Sequence, residues 1–163
     1  PQYYTTIQTG DLDGDGSDEL LARAAAGILA YEFDPDANTW AALPDGPDWS
    51  NATGWDNPQY YTTIQTADLN GDGSDELLAR AAAGIQAYEF DPATNAWTAL
   101  PNGPDWSNAT GWDNPQYYST IQTGDLDGDG RDELLARDPA GILAYEFNLA
   151  TVNLYLPLVL REG

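Results

Sequence analysis

The stretch DLDGDGSDELLARAAAGILAYEF, residues 11–33, decides the fold. It joins a loop of alternating acids and glycines to two runs rich in β-formers. Its opening returns as DLNGDGSDEL at Asp68 and as DLDGDGRDEL at Asp125, so the period is 57 residues. Self-similarity at a fixed spacing of this size marks a solenoid, a propeller or an array. Residues 1–57 and 58–114 differ only at the positions numbered 10, 13, 29, 36, 37, 39, 41 and 45 in the first copy. The third copy keeps the pattern to Phe147 and then departs into NLATVNLYLPLVL. The chain therefore divides into repeats at 1–57, 58–114 and 115–163, the last with a divergent terminal strand, clasp or cap.

Within one repeat the pattern predicts four strands. The first covers residues 4–9, the second residues 19–24, the third residues 28–33 and the fourth residues 39–43, with DPDAN as the turn before the last. ELLARAAAG favours a helix by propensity alone. A helix there would be under three turns and would end at a glycine before another β-run, so strands are expected. Four strands per repeat is the plan of a β-propeller blade. The fold class is all-β, built of four-stranded antiparallel blades.

The acidic loop has the chemistry of a calcium site. A hard cation takes six to eight oxygens at about 2.3–2.6 Å, and acids at alternate positions of a tight loop can converge on one. The candidate ligands are Asp11, Asp13, Asp15, Ser17 and Glu19 in the first copy, with Ser17 offering its carbonyl. In the second they are Asp68, Asn70, Asp72, Ser74 and Glu76, and in the third Asp125, Asp127, Asp129, Arg131 and Glu133. Asn70 keeps an oxygen and drops a charge. An EF-hand needs a Glu at position twelve and flanking helices. Position twelve here is Ala22, Ala79 or Ala136, and the flanks read as strands. Polar Asp-Gly turns without metal are the plain alternative.

The pattern DxDGDGxxE followed by GILAYEF resembles the FG-GAP and VCBS repeats of integrin-like propellers. The unit from Gly54-Trp55 through ADLNGDGSDELLARAAAGI to Gly111-Trp112 is similar to the blades of fungal integrin-like lectins. The resemblance covers the repeated region. It implies one Ca2+ per repeat and a sugar site in the groove between blades. The departures are a chain of three units at most, LLARAAAG where the family is rich in Gly and Phe, and no His at the blade opening.

Composition narrows the partners. The formal charge is −22, and 14 of the 27 acids lie in the three loops. Such a chain has no electrostatic route to nucleic acid, nor to bare anionic membrane. No run reaches the length of a membrane-spanning helix. With no Cys or His, disulfides and thiolate or imidazole metal sites are excluded. Calcium loops of moderate affinity fit a secreted or cell-surface protein, where calcium is abundant. Three blades do not close a ring of four to eight, so a homo-oligomer is expected, most simply a dimer of six blades, with a fragment of a longer chain as the alternative.

The linkers supply the candidate recognition residues. PDGPDWSNATGWDNPQYY groups Trp49, Trp55, Tyr60 and Tyr61, and its repeat groups Trp106, Trp112, Tyr117 and Tyr118. Flat aromatic faces flanked by Asn, Asp and Gln suit a glycan, with its apolar C–H face and rim of hydroxyls. The competing role for each linker Trp is to anchor the blade junction. Trp40, Trp97 and the Phe33, Phe90, Phe147 series belong to strands and are assigned to the core. Arg23, Arg80 and Arg137 are expected to pair with carboxylates. The Asn51 and Asn108 triplets match a glycosylation acceptor and read more simply as polar linker. Catalysis is the poorest fit, since the acids recur in every repeat and serve better as metal ligands. The reading is a calcium-stabilised multivalent lectin, against a calcium-binding adhesion or structural scaffold.

Overall fold

The computed structural model describes residue 3, residues 6–101 and residues 103–147. The divergent segment after Phe147 and the start of the first expected strand lie outside the described residues. Among the described residues there are three antiparallel sheets, two of four strands and one of three. The first runs in the order β1 (Ile7–Gly10), β2 (Glu19–Ala24), β3 (Gly27–Asp34) and β4 (Thr39–Ala42). The second repeats it with β5 (Gln65–Ala67), β6 (Glu76–Ala81), β7 (Gly84–Asp91) and β8 (Ala96–Ala99). The third contains β9 (Gln122–Gly124), β10 (Glu133–Asp138) and β11 (Gly141–Tyr145). The acidic loop joins the first two strands of every blade.

Local chemistry explains the turns. At the end of β3 the Asp34 carboxylate accepts from the amides of Asp36 and Ala37, and Asn38 takes the left-handed conformation that Asn tolerates, with φ 53°. Asn95 repeats this in the second blade with φ 55°.

The blades stack face to face, with their first strands side by side: β1 against β5 and β5 against β9. One core lies between the first two blades and contains Leu12, Leu21, Ile28 and Ala30 from one side, with Ile64, Leu77, Ala79 and Phe90 from the other. A second lies between the next two, where Leu69, Leu78, Ile85 and Ala87 meet Ile121, Leu134, Ala136, Tyr145 and Phe147. Consecutive residues Leu77 and Leu78 thus serve different cores, as the period-2 alternation of a strand requires. Every residue of β6 is buried, whereas β2 alternates buried and half-buried. The difference follows from position, since only the middle blade is covered on both faces.

The linkers fill the wedges between blades. Each contains a short 3-10 turn, Asn51–Thr53 or Asn108–Thr110, and a four-residue helix, α1 (Pro58–Tyr61) or α2 (Pro115–Tyr118). Asn57 and Asn114 cap these helices by accepting from Gln59 and Gln116, and proline occupies the first turn. The sequence reading took this segment as loop; the Asn-Pro pair is the signal for the helix. The arginines also differ from expectation. Arg23 Nε donates to the Trp49 carbonyl at 2.9 Å, and its Nη2 to the Asn51 side-chain oxygen. Arg80 repeats both bonds with Trp106 and Asn108. Tyr rings cover the guanidinium groups, Tyr3 at 5.7 Å from Arg23 and Tyr60 at 5.7 Å from Arg80. Carbonyl, amide and ring faces do what a carboxylate was expected to do, and hold each linker to its blade. Asn51 also donates to the Tyr3 hydroxyl, which makes it a structural linker residue.

Candidate functional site

Two kinds of site emerge, the acidic loops and the linker clefts. In the first loop Asp11 accepts from the amides of Gly14, Asp15 and Gly16. Asp13 and Asp15 accept from the amides of Asp15 and Ser17. Ligand atoms of Asp11, Asp13 and Asp15 all lie within 4.8 Å of one another, as do those of Asp125, Asp127 and Asp129. Gly16 and Gly130 adopt φ +90°, a region that side chains avoid, and so let the loop double back. Glu19 lies beneath its loop, with one carboxylate oxygen accepting from Leu12 N at 2.8 Å.

The donor set is all oxygen, which fits a hard divalent cation. Burial, reinforced by Asp13, Asp11 and Asp15, pushes Glu19 from 4.5 up to about 7. Burial also takes Glu76 up to about 8, against the pull of its bond from Leu69, and raises Glu133.

The three loops are not equivalent. In the second, Asn70 Oδ1 accepts from Asp72 N at 2.8 Å, so its amide nitrogen takes the inward place. That nitrogen donates to Glu76 at 2.6 Å and to Asp72 at 3.0 Å. An internal donor thus occupies the position of a ligand oxygen. In the third loop the Arg131 guanidinium binds Asp129 at 2.5 Å and Glu146 at 2.6 Å. Only the first loop has neither an internal amide donor nor an arginine. Sequence reading registered the charge lost at Asn70 but not the hydrogen bonds it gains.

The loops also join blades. Asp75 N donates to the Asp11 carbonyl at 2.6 Å, and the Asp75 carboxylate accepts from Asp11 N at 3.1 Å. Asp132 N makes the matching bond to the Asp68 carbonyl at 2.6 Å. Sequence reading missed this joining role of Asp75 and Asp132; their single place after Ser74 or Arg131 carried no separate signal.

The second site is a cleft of about 560 Å³ between the first linker and the second blade. Its walls are Thr53, Gly54, Trp55, Asp56, Asn57 and Tyr60 on one side, with Ala81 to Ala83 and Gln86 on the other. The eight linker aromatics separate into two groups. Trp49 and Trp106 are 2 % exposed and lie in the cores. Trp55 stacks on Trp49 at 4.4 Å and Tyr88 meets it edge-on at 5.8 Å, so no ring face is open to a ligand. These two tryptophans are corrected from candidate sugar contacts to packing residues. Tyr61 packs against the first core, and Tyr117 and Tyr118 against the second. Trp55, 6 % exposed and part of the first core, and Tyr60, packed against that core, also line the cleft, with ring centroids 5.7 Å apart.

Trp112 and Tyr117 repeat the aromatic pair at the second junction with centroids 6.0 Å apart. Three facing positions differ there, with Asp138, Pro139 and Leu143 in place of Ala81, Ala82 and Gln86, while Ala140 matches Ala83.

No family model matches the chain, and no curated protein sequence does. By structure it is similar to a lectin of Agrocybe aegerita whose solved structure is described as the basis of specific recognition of non-reducing terminal N-acetylglucosamine. The superposition has a TM-score of 0.73 at 19 % identity and covers 94 % of this chain. The chain spans 38 % of that lectin's length, so what the two share is a fold built of antiparallel blades.

Proposed function

We propose that this chain binds glycans at its blade junctions and that calcium in the acidic loops stabilises the blades that form them. The observation that carries the reading is the cleft itself. An indole and a phenol ring, Trp55 and Tyr60, stand beside Asp56, Asn57 and Gln86 in a wedge walled opposite by alanine. A pyranose needs an apolar surface for its C–H face and polar groups for its hydroxyls, and this wall offers both. The similarity to an N-acetylglucosamine-binding lectin supports the choice of ligand class. Asp11, Asp13, Asp15 and Glu19 would hold one ion, and Asp125, Asp127, Asp129 and Glu133 another. Two aromatic junctions in one chain give the basis for multivalent binding to a glycan-bearing surface. Calcium dependence of this kind suits a secreted or cell-surface protein.

A glycan array probed in calcium tests the proposal. The wild-type chain is expected to retain N-acetylglucosamine-terminated glycans, and Asp56→Ala, at an exposed position outside the cores, to lose at least tenfold in signal. Failure of the folded wild-type protein to retain any glycan would sink the reading.

A further inference from the structure

Gln86 differs from its counterparts Leu29 and Leu143, although the strand around it, GIQAYEF against GILAYEF, is otherwise unchanged. It stands in β7 between Ile85 and Ala87, which both belong to the core shared with the third blade. Strand alternation therefore turns the half-buried Gln86 side chain the other way, toward the first linker, where it lines the cleft of Trp55 and Tyr60.

The two ends of its amide have different roles. Oε1 accepts from the buried Trp49 indole N–H at 3.1 Å. An indole N–H only donates, so this bond fixes which way the amide is turned. Nε2, with its two hydrogens, is the atom left to face a ligand. Asn57 is divided in the same way, since its Oδ1 accepts from Gln59 N at 3.2 Å and leaves Nδ2 as a donor. Asp56 is exposed and, as a carboxylate, only accepts. The cleft thus combines amide donors from both walls with one acceptor, on aromatic and alanine surface.

The second junction lacks this arrangement. Leu143 takes the place of Gln86 and packs against the core, and the Trp106 indole N–H has no partner among the described residues. Asp138 replaces Ala81, and its Oδ1 accepts from Ala140 N at 2.7 Å and from Gly141 N at 3.0 Å. A carboxylate and a leucine stand where the first junction has an alanine and an amide donor.

We propose that Gln86 sets the specificity of the first junction, its Nε2 donating to the carbonyl oxygen of an acetamido group on a neutral sugar, and that the second junction has no such preference. This preference rests on glycan binding at the cleft and names the group that the site reads. An acetamido group brings a carbonyl that only accepts and an N–H that only donates, and Gln86 and Asp56 are the complements of the two. A carboxylate-bearing sugar is opposed by Asp56 and by the net charge of −22. Without the acetamido group the Gln86 donor loses its acceptor, a bond worth about tenfold in affinity.

The full chain in calcium is titrated with methyl N-acetyl-β-glucosaminide and with methyl β-glucoside, followed by calorimetry and by the nitrogen-15 indole signals. The wild type is expected to bind the acetamido sugar about tenfold more tightly, with the Trp55 signal moving. Gln86→Glu keeps an oxygen for the Trp49 indole and removes the donor, so it should abolish the preference between the two sugars. A purely structural glutamine would instead lower both affinities alike. Asp138→Ala, Pro139→Ala and Leu143→Gln together carry the first wall to the second junction, and the Trp112 signal should then respond with the same preference. If one of these variants fails to fold, the other decides. Equal binding of the two sugars by the wild type, a preference that survives in Gln86→Glu, or a Trp112 signal that ignores the acetamido sugar in the folded triple variant would each overturn the proposal. Binding of neither sugar would remove the glycan reading together with it.

Discussion

Gln86 shows how one residue separates near-identical repeats. Its side-chain oxygen accepts from the indole N–H of Trp49 at 3.1 Å. The matching position in the third repeat is Leu143, and there the buried Trp106 indole N–H has no hydrogen-bond partner among the described residues. An unmade bond of a buried donor costs about 1–3 kcal/mol. Gln86→Leu should therefore destabilise the chain by about that amount in urea unfolding, while Leu143→Gln should stabilise it, the gain being smaller because the amide must be ordered. The exchange at this position was visible in the sequence. Its consequence was not, because the indole lies 37 residues away in the preceding linker.

Titration of the loop glutamates gives a second prediction at this scale. In calcium-free protein Glu19 is held at about 7 and Glu76 at about 8, both above the ordinary 4.5. Folding therefore favours their protonated forms. That stabilisation is present in full below pH 4.5 and is lost as pH rises through about 7 to 8. With chelator, the melting temperature should fall between pH 5 and pH 8.5. Added calcium should reverse the trend, because a metal needs its ligands deprotonated. A chelated protein whose melting temperature rises across that interval would contradict the assignment.

At the scale of elements, the acidic loops were the most legible part of the chain and the linkers the least. DGDG spacing announced a tight loop, and the second strand, Glu19–Ala24, lies where the pattern put it. The third and fourth strands agree to within a residue at their ends. Linker residues were harder to read because burial there is decided by two blades at once. Trp49 and Trp55 are six residues apart in the same polar connection and both belong to the first core, yet only Trp55 also reaches the cleft. No local pattern distinguishes them. Within the loops, Asn70→Asp should turn the inward amide into a fourth carboxylate beside Asp68, Asp72 and Glu76. Calorimetric titration of the wild type is expected to show two stronger calcium sites, and this variant one more. Without calcium, the same change should lower stability, since it replaces two hydrogen bonds by carboxylate repulsion.

Across the whole molecule, the stacking of blades makes each linker a structural wedge and, on the proposed function, the first linker one wall of a glycan cleft. The stacked pair Trp49–Trp55 fixes the indole of Trp55 in place before any ligand arrives, which lowers the entropy lost on binding. Period and strand count were enough to predict blades. Which aromatic groups face outward required the packing of one repeat on the next.

The central claim is that a sugar enters the cleft beside Trp55. It is tested most directly by following the indole N–H signals of the six tryptophans in a nitrogen-15 NMR titration with an N-acetylglucosamine-terminated oligosaccharide in calcium. The account predicts that the Trp55 signal shifts with saturation, and that the exposed Trp40 on the outer strand stays in place. Unmoved indole signals at millimolar glycan, or a shift confined to Trp40, would contradict it.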